Sequence, residues 1–548
     1  MGARNSRRMF MMIDDDDDSV SRIEDTSEDS DDSIESDSDP EEQSFVDMLH
    51  SLINRAQLPL ETNDRDFHPD IRMPKIKYKL DTSILDKSEF SLLTKKACGL
   101  LEPKRRFSKT NNVSALIRNR ESGLYKEENF SKATRCKISN QYLPNEMVGT
   151  LENGSAKIFC GIFSGDGNTF LTASQDRNIK LYDVKSSSYE LYKTIRARDV
   201  GWSIIDVAFS PDGSNFVYST WSSSYVAFSP DGSNFVYSDS PSLHMCPVRG
   251  SSDHQEPLSL VNTSRRFCVF SVTYSSDGKE LVCGTNDGCL YIYNMEVQSR
   301  ILRIPAHTSD INRVLFADNS SQIIYSGSDD GLVKVWDRRT LDDRHVQPVG
   351  QLAGHMDGIT YIDSKGDGRH LISNSKDQTI KLWDVRCFSN EKTVTKALCA
   401  VKNPPWDYRG QGVPKGFCQA NRLDGDTSIM TYKGHVVAKT LIRARFSPAE
   451  TTGQRYIYTG CGTGRVLIFD ALTGKPVKQL KMHSTCVRDV SWHPTRNEIL
   501  SSSWDGTVGR WTYCKTNSVD KTKDSFSAKP LRRSARLAAQ RQVREQAN

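Results

Sequence analysis

Residues 377–384 read DQTIKLWD, a turn residue and then a short β-rich run that closes on an aromatic residue and Asp. Six segments share this type of ending: IKLYD (179–183), LYIYN (290–294), VKVWD (333–337), IKLWD (380–384), VLIFD (466–470) and VGRWT (508–512). The turn residues six positions before each aromatic residue are Asp176, Asp287, Asp330, Asp377, Thr463 and Asp505. The chain therefore repeats one structural unit.

The spacing of these endings gives the length of the unit. Neighbouring endings lie 43 residues apart (294 to 337) and 47 apart (337 to 384), which is typical of four-stranded WD-type propeller blades. Two longer intervals, of 111 and 86 residues, leave room for one more blade near 200–246 and for one blade with an insertion at 388–428. We predict an all-β fold, a seven-bladed WD40 β-propeller at 147–514.

Three blades carry a repeated set of polar residues. In WD repeats, residues at these offsets form a hydrogen-bonded chain from Asp through His and Ser to Trp. The sets are His307, Ser326, Asp330 and Trp336; His355, Ser373, Asp377 and Trp383; and His483, Ser501, Asp505 and Trp511. A catalytic triad occurs once in a protein, so three copies at fixed offsets predict a structural role.

Composition argues against several function classes. The 13 cysteines include no CxxC pair, so neither a disulfide framework nor a metal site is expected. No unrepeated acid–base pair stands out, and we expect neither enzymatic activity nor a cofactor. Met9–Ile13 is too short for a signal peptide and no run of about 18 apolar residues occurs. We therefore expect no membrane partner, and a location in the nucleus and cytoplasm.

The formal net charge of +4 conceals two oppositely charged tails. Between Asp14 and Glu42 there are 16 acidic residues and one basic residue, Arg22, interleaved with serines that suit an acidophilic kinase. Segment 1–43 is therefore predicted to be disordered. Segment 515–548 is basic, and it is a nuclear-import signal, a weak nucleic-acid patch or a solvated tail; a nucleic-acid partner is not expected. Its basic residues include Lys529, Arg532, Arg533, Arg536, Arg541 and Arg544.

Two helical patterns lie in the extension at 44–146. Ser44–Ala56 has an apolar stripe of helical width, and Thr82–Cys98 has Ser83 and Asp86 as a capping pair with Gly99 as its stop. Such a stripe must be buried, either on the side of the propeller or in the groove of a partner. The sequence leaves both open.

One segment is duplicated without any change. VAFSPDGSNFVYS occurs at Val207–Ser219 and again at Val226–Ser238. Blade repeats normally diverge, so a perfect copy indicates a recent duplication or a gene-model error. We expect one copy to form two strands of blade two and the other to loop out or compete for the same place.

The two best blade endings both read WDxR, at Trp336–Arg339 and Trp383–Arg386. With paired WDxR boxes in adjacent blades, the chain resembles the WD-repeat substrate receptors of cullin-4 RING ubiquitin ligases. Segments such as GITYIDSKGD (358–367) and CVRDVSWHP (486–494) strengthen the resemblance. It implies binding to the ligase adaptor, and through it to cullin-4 and the RING subunit, and presentation of protein substrates for ubiquitination. The implied adaptor-binding residues are Trp336, Asp337, Arg339, Trp383, Asp384 and Arg386.

A physical argument supports these arginines, and alternatives remain. An exposed Arg presents a planar fork to a partner's carboxylate or carbonyl; alternatively, both arginines merely pair with the Asp of their own box. The opposite face would then hold the substrate on a rim around the central channel. Its candidate residues are Gln175, Asn286, Asp329, Lys376 and Trp504. The rival function is a non-ligase WD40 scaffold for a nuclear complex associated with chromatin or RNA.

Overall fold

The strand-like runs of the sequence pair into seven antiparallel sheets of four strands each in this computed structural model. The structure describes residues 80–101 and 131–515, apart from 186–187, 202, 221–225, 229–234, 238–242, 251–253, 261–266, 343–345, 403–405, 412 and 414–421, and also residues 114, 117, 118 and 121. The predicted seven-bladed propeller is confirmed. The acidic segment, the helix predicted at Ser44–Ala56 and the basic residues from Lys529 onward lie outside the described residues.

Each sheet is one blade, whose strands we call a to d from the central channel outward. Strand β1 (Glu146–Asn153) precedes blade one. Blade one consists of β2 (Ile158–Phe163), β3 (Thr169–Ser174), β4 (Asn178–Val184) and β5 (Tyr189–Arg196). Blade two consists of β6 (Ile204–Phe209), β7 (Asn215–Thr220), β10 (Leu243–Pro247) and β11 (Glu256–Leu258), with β8 (Val226–Phe228) and β9 (Phe235–Tyr237) between its strands b and c. Blade three consists of β12 (Val269–Tyr274), β13 (Glu280–Thr285), β14 (Cys289–Asn294) and β15 (Ser299–Pro305).

The remaining blades follow in chain order. Blade four consists of β16 (Ile311–Phe316), β17 (Ile323–Ser328), β18 (Val333–Asp337) and β19 (Gly350–Leu352). Blade five consists of β20 (Ile359–Ser364), β21 (His370–Ser375), β22 (Thr379–Asp384) and β23 (Met430–Lys433). Blade six consists of β24 (Ala444–Phe446), β25 (Tyr456–Thr459), β26 (Arg465–Asp470) and β27 (Pro476–Lys481). Blade seven consists of β28 (Val487–Trp492), β29 (Ile499–Ser503), β30 (Thr507–Thr512) and β1.

Burial differs between the middle and outer strands of a blade. Every residue of β3 and β21 is buried, because each blade packs between two neighbours that cover both faces of its middle strands. The outer strand β15 alternates between exposed and buried residues in its second half, as expected for a strand with one solvated face. The core therefore lies between blades, for example where Leu290 of blade three and Ile324 of blade four share one apolar cluster.

The ring is closed by the strand that precedes blade one. β1 pairs antiparallel with β30, from Glu146 opposite Thr512 to Asn153 opposite Thr507, and so becomes strand d of blade seven. The chain of blade seven passes close to β1 at Gly506, which has a φ of +78° and where a Cβ atom would collide with the carbonyl oxygen of Gly154. The sequence analysis missed this closure, since β1 has no aromatic ending.

The two copies of the duplicated segment have different structures. The first copy forms β6 and β7 within blade two. The second copy contains β8 and β9, which pair with each other as a separate two-stranded sheet. Thr220, the residue after the first copy, is fully buried opposite Ile204, and its hydroxyl donates to the carbonyl oxygen of Asp199 at 3.1 Å.

The prediction of a single helix at Thr82–Cys98 is wrong. Two helices are present, α1 (Ser83–Lys87) and α2 (Glu89–Ala97). They are separated by Ser88, whose backbone is extended and whose hydroxyl caps α2 by accepting the N–H of Ser91. The hydroxyl that contacts Asp86 in α1 belongs to Thr82 rather than to the predicted Ser83.

These helices dock on the propeller itself. Leu85 and Phe90 are fully buried in a cluster with residues of blades five and six. The Phe90 ring lies edge-on to His370 at 5.3 Å, and the Lys365 ammonium lies 4.5 Å from its centre. The predicted apolar set is therefore only partly used, since Leu92 on α2 is 57% exposed.

The described part of the chain also contains α3 (Lys132–Ser139), α4 (Glu391–Lys402) and α5 (Ala449–Thr452). α3 packs against α5 in blade six, where Asn140 donates from its side-chain amide to the carbonyl oxygen of Thr452 at 3.2 Å. α4 lies in the insertion between β22 and β23, and the sequence analysis did not predict it. Its Ala397 is fully buried against Leu332 and Ala353.

A deletion tests whether the second copy of the duplication is dispensable. Removing residues 223–238 deletes that copy but keeps Thr220 in β7, so we expect a folded protein with an unchanged melting temperature. The control is the deletion of residues 220–238, which places Asp239 at the buried position of Thr220. Because the two copies are identical, removing residues 207–225 instead would give the same polypeptide. An unpaired buried carboxylate is costly, so the control should melt at a lower temperature. Loss of the melting transition after deletion 223–238 would show that the second copy belongs to the fold.

Candidate functional site

The repeated polar sets form hydrogen-bond chains within single blades. In blade five, Nδ1 of His355 lies 2.8 Å from Oδ2 of Asp377, and Nε2 lies 2.6 Å from Oγ of Ser373. The indole N–H of Trp383 donates to the same hydroxyl at 2.7 Å. With a neutral imidazole every donor meets an acceptor, because the Ser hydroxyl donates to His and His donates to Asp.

The same chain occurs in two other blades. It joins His307, Ser326, Asp330 and Trp336 in blade four, and His483, Ser501, Asp505 and Trp511 in blade seven. Burial lowers the pKa of His307, which favours the neutral imidazole. Although burial opposes it, His355 holds the pKa of Asp377 far below its usual range. These buried side chains satisfy one another inside the blades and are not arranged to meet a substrate.

Both WDxR boxes expose their arginines on one face of the ring, beside the c–d connections. Side-chain exposure is 67% for Arg339 and 60% for Arg386. Arg339 forks onto Asp337, with Nε at 2.9 Å and Nη2 at 2.6 Å from its oxygens. Arg386 makes the same fork onto Asp384, at 3.3 Å and 3.1 Å. The ion pairs within each box thus form in the free chain, while much of each guanidinium stays open to solvent.

Two of the six predicted adaptor-binding residues do not lie on this surface. Trp336 is 1% exposed and Trp383 is fully buried, because each indole is the last member of a buried polar chain. They fix the strand from which Asp337 and Asp384 emerge. The surface part of the boxes is therefore the Asp and Arg pairs.

The five predicted rim residues occupy equivalent positions on the opposite face, at the b–c turns. Each donates its backbone N–H to the residue just before strand a of its own blade, at 2.8–3.1 Å. The pairs are Gln175 with Lys157, Asn286 with Cys268, Asp329 with Asp310, Lys376 with Gly358 and Trp504 with Cys486. The five predicted rim residues are thus structurally equivalent positions in blades one, three, four, five and seven.

Two of the rim side chains, those of Asp329 and Lys376, bind each other rather than being free at the surface. Lys376 is 6% exposed and its ammonium lies 2.7 Å from Oδ2 of Asp329, whose other oxygen accepts from Asn312 at 2.6 Å. Despite burial, Asp329 raises the pKa of Lys376. Burial, together with repulsion from Asp329, raises the pKa of Asp310 to about 6. Asp329 is therefore half of a structural ion pair rather than a free surface carboxylate.

The insertion in blade five contributes a rim residue that the sequence analysis missed. The ring of Tyr408 lies 4.4 Å from the ammonium of Lys376, and Arg409 lies beside the same ring. No periodic pattern marks these residues, because the insertion falls outside the blade repeat. Trp504 of blade seven packs on Phe159 of blade one, and the centres of the two aromatic side chains are 5.5 Å apart.

A buried charge network crosses the central channel. Arg443 of blade six contacts Asp206 of blade two at 2.7 Å and Asp489 of blade seven at 3.0 Å. Arg313 of blade four also reaches Asp206, at 3.0 Å, and Arg445 reaches Asp489 at 2.6 Å. Although burial opposes it, Arg443 and Arg313 hold the pKa of Asp206 below its usual range. These residues lie on strands a or next to them, and the sequence analysis did not identify them.

The network divides the channel. On the face with the WDxR boxes it forms the floor of a cavity of about 520 Å³, which includes Tyr361, Asp363 and Arg445. Beside it, the gap that Arg488 and Leu441 line is about 10 Å³, roughly the space that one water needs. The b–c turns and the c–d connections lie at opposite ends of the strands, so the two faces are separate surfaces.

The described residues contain no group of three or more His, Cys, Asp or Glu side chains that could hold a metal ion. Across the same ranges, none of the helices has the length and apolarity that a bilayer crossing requires.

The sequence profile of the family described as "WD domain, G-beta repeat" matches five segments, at 145–183, 258–294, 298–337, 346–384 and 474–512. These segments end in strand c of blades one, three, four, five and seven. The unmatched blades are two, which lacks the aromatic ending, and six, where Thr463 replaces the turn Asp. Four of the five matches thus include strand d of the preceding blade, and the fifth begins at Leu258, the last residue of β11; this is consistent with the closure by β1.

Several known proteins resemble this chain across the propeller. A "DDB1- and CUL4-associated factor 11 homolog" of Caenorhabditis elegans is 40% identical over 412 residues, which are 74% of this chain and 69% of that protein. The Caenorhabditis briggsae protein with the same description is 38% identical, over 74% of this chain and 72% of its own. A "LEC14B homolog" of Prunus armeniaca is 39% identical, over 72% and 80% of the two chains.

The polar chain in blade five makes a testable prediction about stability. Asp377→Ala leaves His355 without its buried acceptor, so we expect a loss of about 1–3 kcal/mol in the free energy of unfolding. The matched control is Asp176→Ala in blade one, because Asp176 holds the same turn position but is exposed and bonds Ser174 and Asn178. Denaturant unfolding should give the control a loss below about 1 kcal/mol. Equal losses would contradict a structural role for the His-containing chain.

The cavity on the WDxR face makes a prediction about pH. Burial raises the pKa of Asp363 to about 6, above the unfolded value of about 3.9. At this carboxyl group the folded protein therefore binds more protons than the unfolded chain between these values, and the contribution of Asp363 to stability falls as pH rises through them. Asp363→Asn keeps an acceptor for the N–H of Phe446 without the charge. It should raise the melting temperature at pH 8 and change it little at pH 4.5; equal shifts at both pH values would contradict the prediction.

Proposed function

Because this chain belongs to the WD-repeat family of DDB1- and CUL4-associated factor 11 homologs, we propose that it is a substrate receptor of a cullin-4 RING ubiquitin ligase. In this function it binds DDB1, the adaptor named in the description of its relatives, through the WDxR boxes. The opposite face presents a target protein for ubiquitination. The chain itself performs no catalysis in this assembly.

The observation that carries the proposal is the pair of exposed arginine forks on one face. Arg339 and Arg386 leave strand c at the same place in adjacent blades, and each is oriented by the Asp of its own box. A guanidinium held by one carboxylate keeps further N–H donors for a partner's carbonyl or carboxylate groups. Two such groups at fixed spacing favour a specific protein interface over isolated surface ion pairs.

The arrangement of the other face supports the second half of the proposal. The b–c turns place Gln175, Asn286 and Trp504 around the mouth of the channel, and Tyr408 adds an aromatic ring beside Lys376. Trp and Tyr side chains are frequent interface anchors. Because the b–c turns and the c–d connections lie at opposite ends of the strands, a target bound here does not compete for space with DDB1 on the WDxR face.

The proposal is tested by the double variant Arg339→Ala with Arg386→Ala. Both side chains are exposed, so the fold should be retained, while DDB1 binding should weaken by more than roughly tenfold because charge-assisted contacts at an interface are lost. The measurement is the dissociation constant for purified DDB1, with melting temperature as the check on folding.

The control for this experiment is Arg455→Ala. Arg455 is an arginine of blade six that pairs with the strand-end Asp470 at 2.8 Å but is 25% exposed and lies outside the boxes. Its substitution should leave DDB1 affinity unchanged. Undiminished affinity in the double variant would refute the receptor function and favour the scaffold that uses no ligase.

A further inference from the structure

The two WDxR boxes are not equivalent. In the described part of the chain, Arg339 has one partner, Asp337, and the residue before strand b of blade four is Gln322. In blade five the corresponding residue is Arg369, whose Nη2 lies 2.8 Å from Oδ2 of Asp384. The carboxylate of Asp384 is therefore shared between two arginines, while that of Asp337 serves one.

A second carboxylate completes the charge balance of the blade-five box. Glu89, the first residue of α2, contacts Nη1 of Arg369, and its Oε2 lies 3.5 Å from Nη2 of Arg386. The cluster then contains two positive and two negative side chains. Without Glu89 the two guanidinium groups would share a single negative charge, and their repulsion would favour turning the more exposed one, Arg386, away.

The position of Glu89 is fixed by its neighbours in the extension. Phe90, the next residue, is fully buried between His370 and Phe446. At the other end of α2, the backbone of Ala97 lies so close to Gly453 of blade six that a Cβ atom on that glycine would be 2.8 Å from it. Both ends of α2 thus pack against the propeller, and the carboxylate of Glu89 in its first turn lies beside the blade-five box.

We propose that Glu89 is a positioning residue for Arg386, so that the adaptor-binding surface is built jointly by blade five and the N-terminal extension. This inference rests on the proposed function, since it concerns the same surface and the same partner, DDB1. It assigns the extension a role in recognition that acts on one box and not on the other. The blade-four box works without it.

A double-mutant cycle distinguishes positioning from other roles. Glu89→Gln keeps the size of the side chain and removes its charge, and we expect it to weaken DDB1 binding about threefold, the scale of an exposed ion pair. In the Arg339→Ala background the same threefold loss should appear, because that box does not involve Glu89. In the Arg386→Ala background Glu89→Gln should have no further effect. If Arg386→Ala leaves no measurable affinity, Arg386→Lys, which keeps the charge but lacks the fork, replaces it.

The matched control removes a comparable ion pair at a distance from the box. Lys132 of α3 and Glu450 of α5 join the extension to blade six, with side-chain exposures of 51% and 55%. Glu450→Gln should therefore leave DDB1 affinity unchanged, and all variants should melt at the temperature of the parent.

The outcomes separate this inference from the proposed function. A parent chain that does not bind DDB1 overturns the proposed function itself. A parent that binds DDB1, but in which Glu89→Gln has no effect or has the same effect in both arginine backgrounds, overturns the positioning role alone. A loss in Glu450→Gln equal to that in Glu89→Gln would also overturn it, since docking of the extension in general would then be responsible.

Discussion

Two buried carboxylates at the centre of the ring, Asp206 and Asp489, hold together blades that share no strand. Arg443 binds both of them, and Arg313 approaches Asp206 from a third direction. Removing one partner of a buried ion pair typically costs about 3–5 kcal/mol in the free energy of unfolding. The network therefore fixes the inner strands of four blades relative to one another. Apolar contacts act between adjacent blades around the ring, whereas this network acts across it.

The same network lies between two surfaces that the antiparallel strands place at opposite ends of the ring. A channel open from end to end would let a ligand or a peptide on one face influence the other directly. Here the guanidinium of Arg443 and its carboxylate partners occupy the middle, and each face ends in its own set of side chains. The face with the boxes contains paired arginines held by Asp337 and Asp384, and the other contains the polar turns with Lys376 and Tyr408. In the proposed function, the adaptor and the target protein occupy these two faces.

Features that repeat were predictable from the sequence, and features that occur once were not. The blade endings, the buried chain around His355 and the exposure of Arg386 all follow from positions that recur with the blade period. By contrast, β1 lacks the aromatic ending and Tyr408 lies in the insertion, so neither has a counterpart at a repeated offset. Asp206, Arg313 and Asp489 do share one offset in strand a, directly after the irregularity near its start, but the residue type there changes from blade to blade and the partners are distant in the chain, so local patterns contain no signal for the network. The break between α1 and α2 at Ser88 was missed because the apolar pattern continues across it. A single Ser side chain, which caps α2, marks the break in the sequence. The sequence analysis placed Trp383 on the adaptor-binding surface, whereas its side chain is buried. A motif gives the order of residues but does not tell which of them face solvent.

Closure by β1 also sets the order in which the ring can form during synthesis. Asn145 and Cys514, which hydrogen-bond to each other at the junction of β1 and β30, are 369 residues apart. A ribosome that adds about 5–20 residues per second needs roughly 20–70 s to make this stretch. During that time β1 has no β30 to pair with, and an unpaired strand edge readily pairs with other chains. The nascent protein is therefore exposed to misassembly until its last blade emerges.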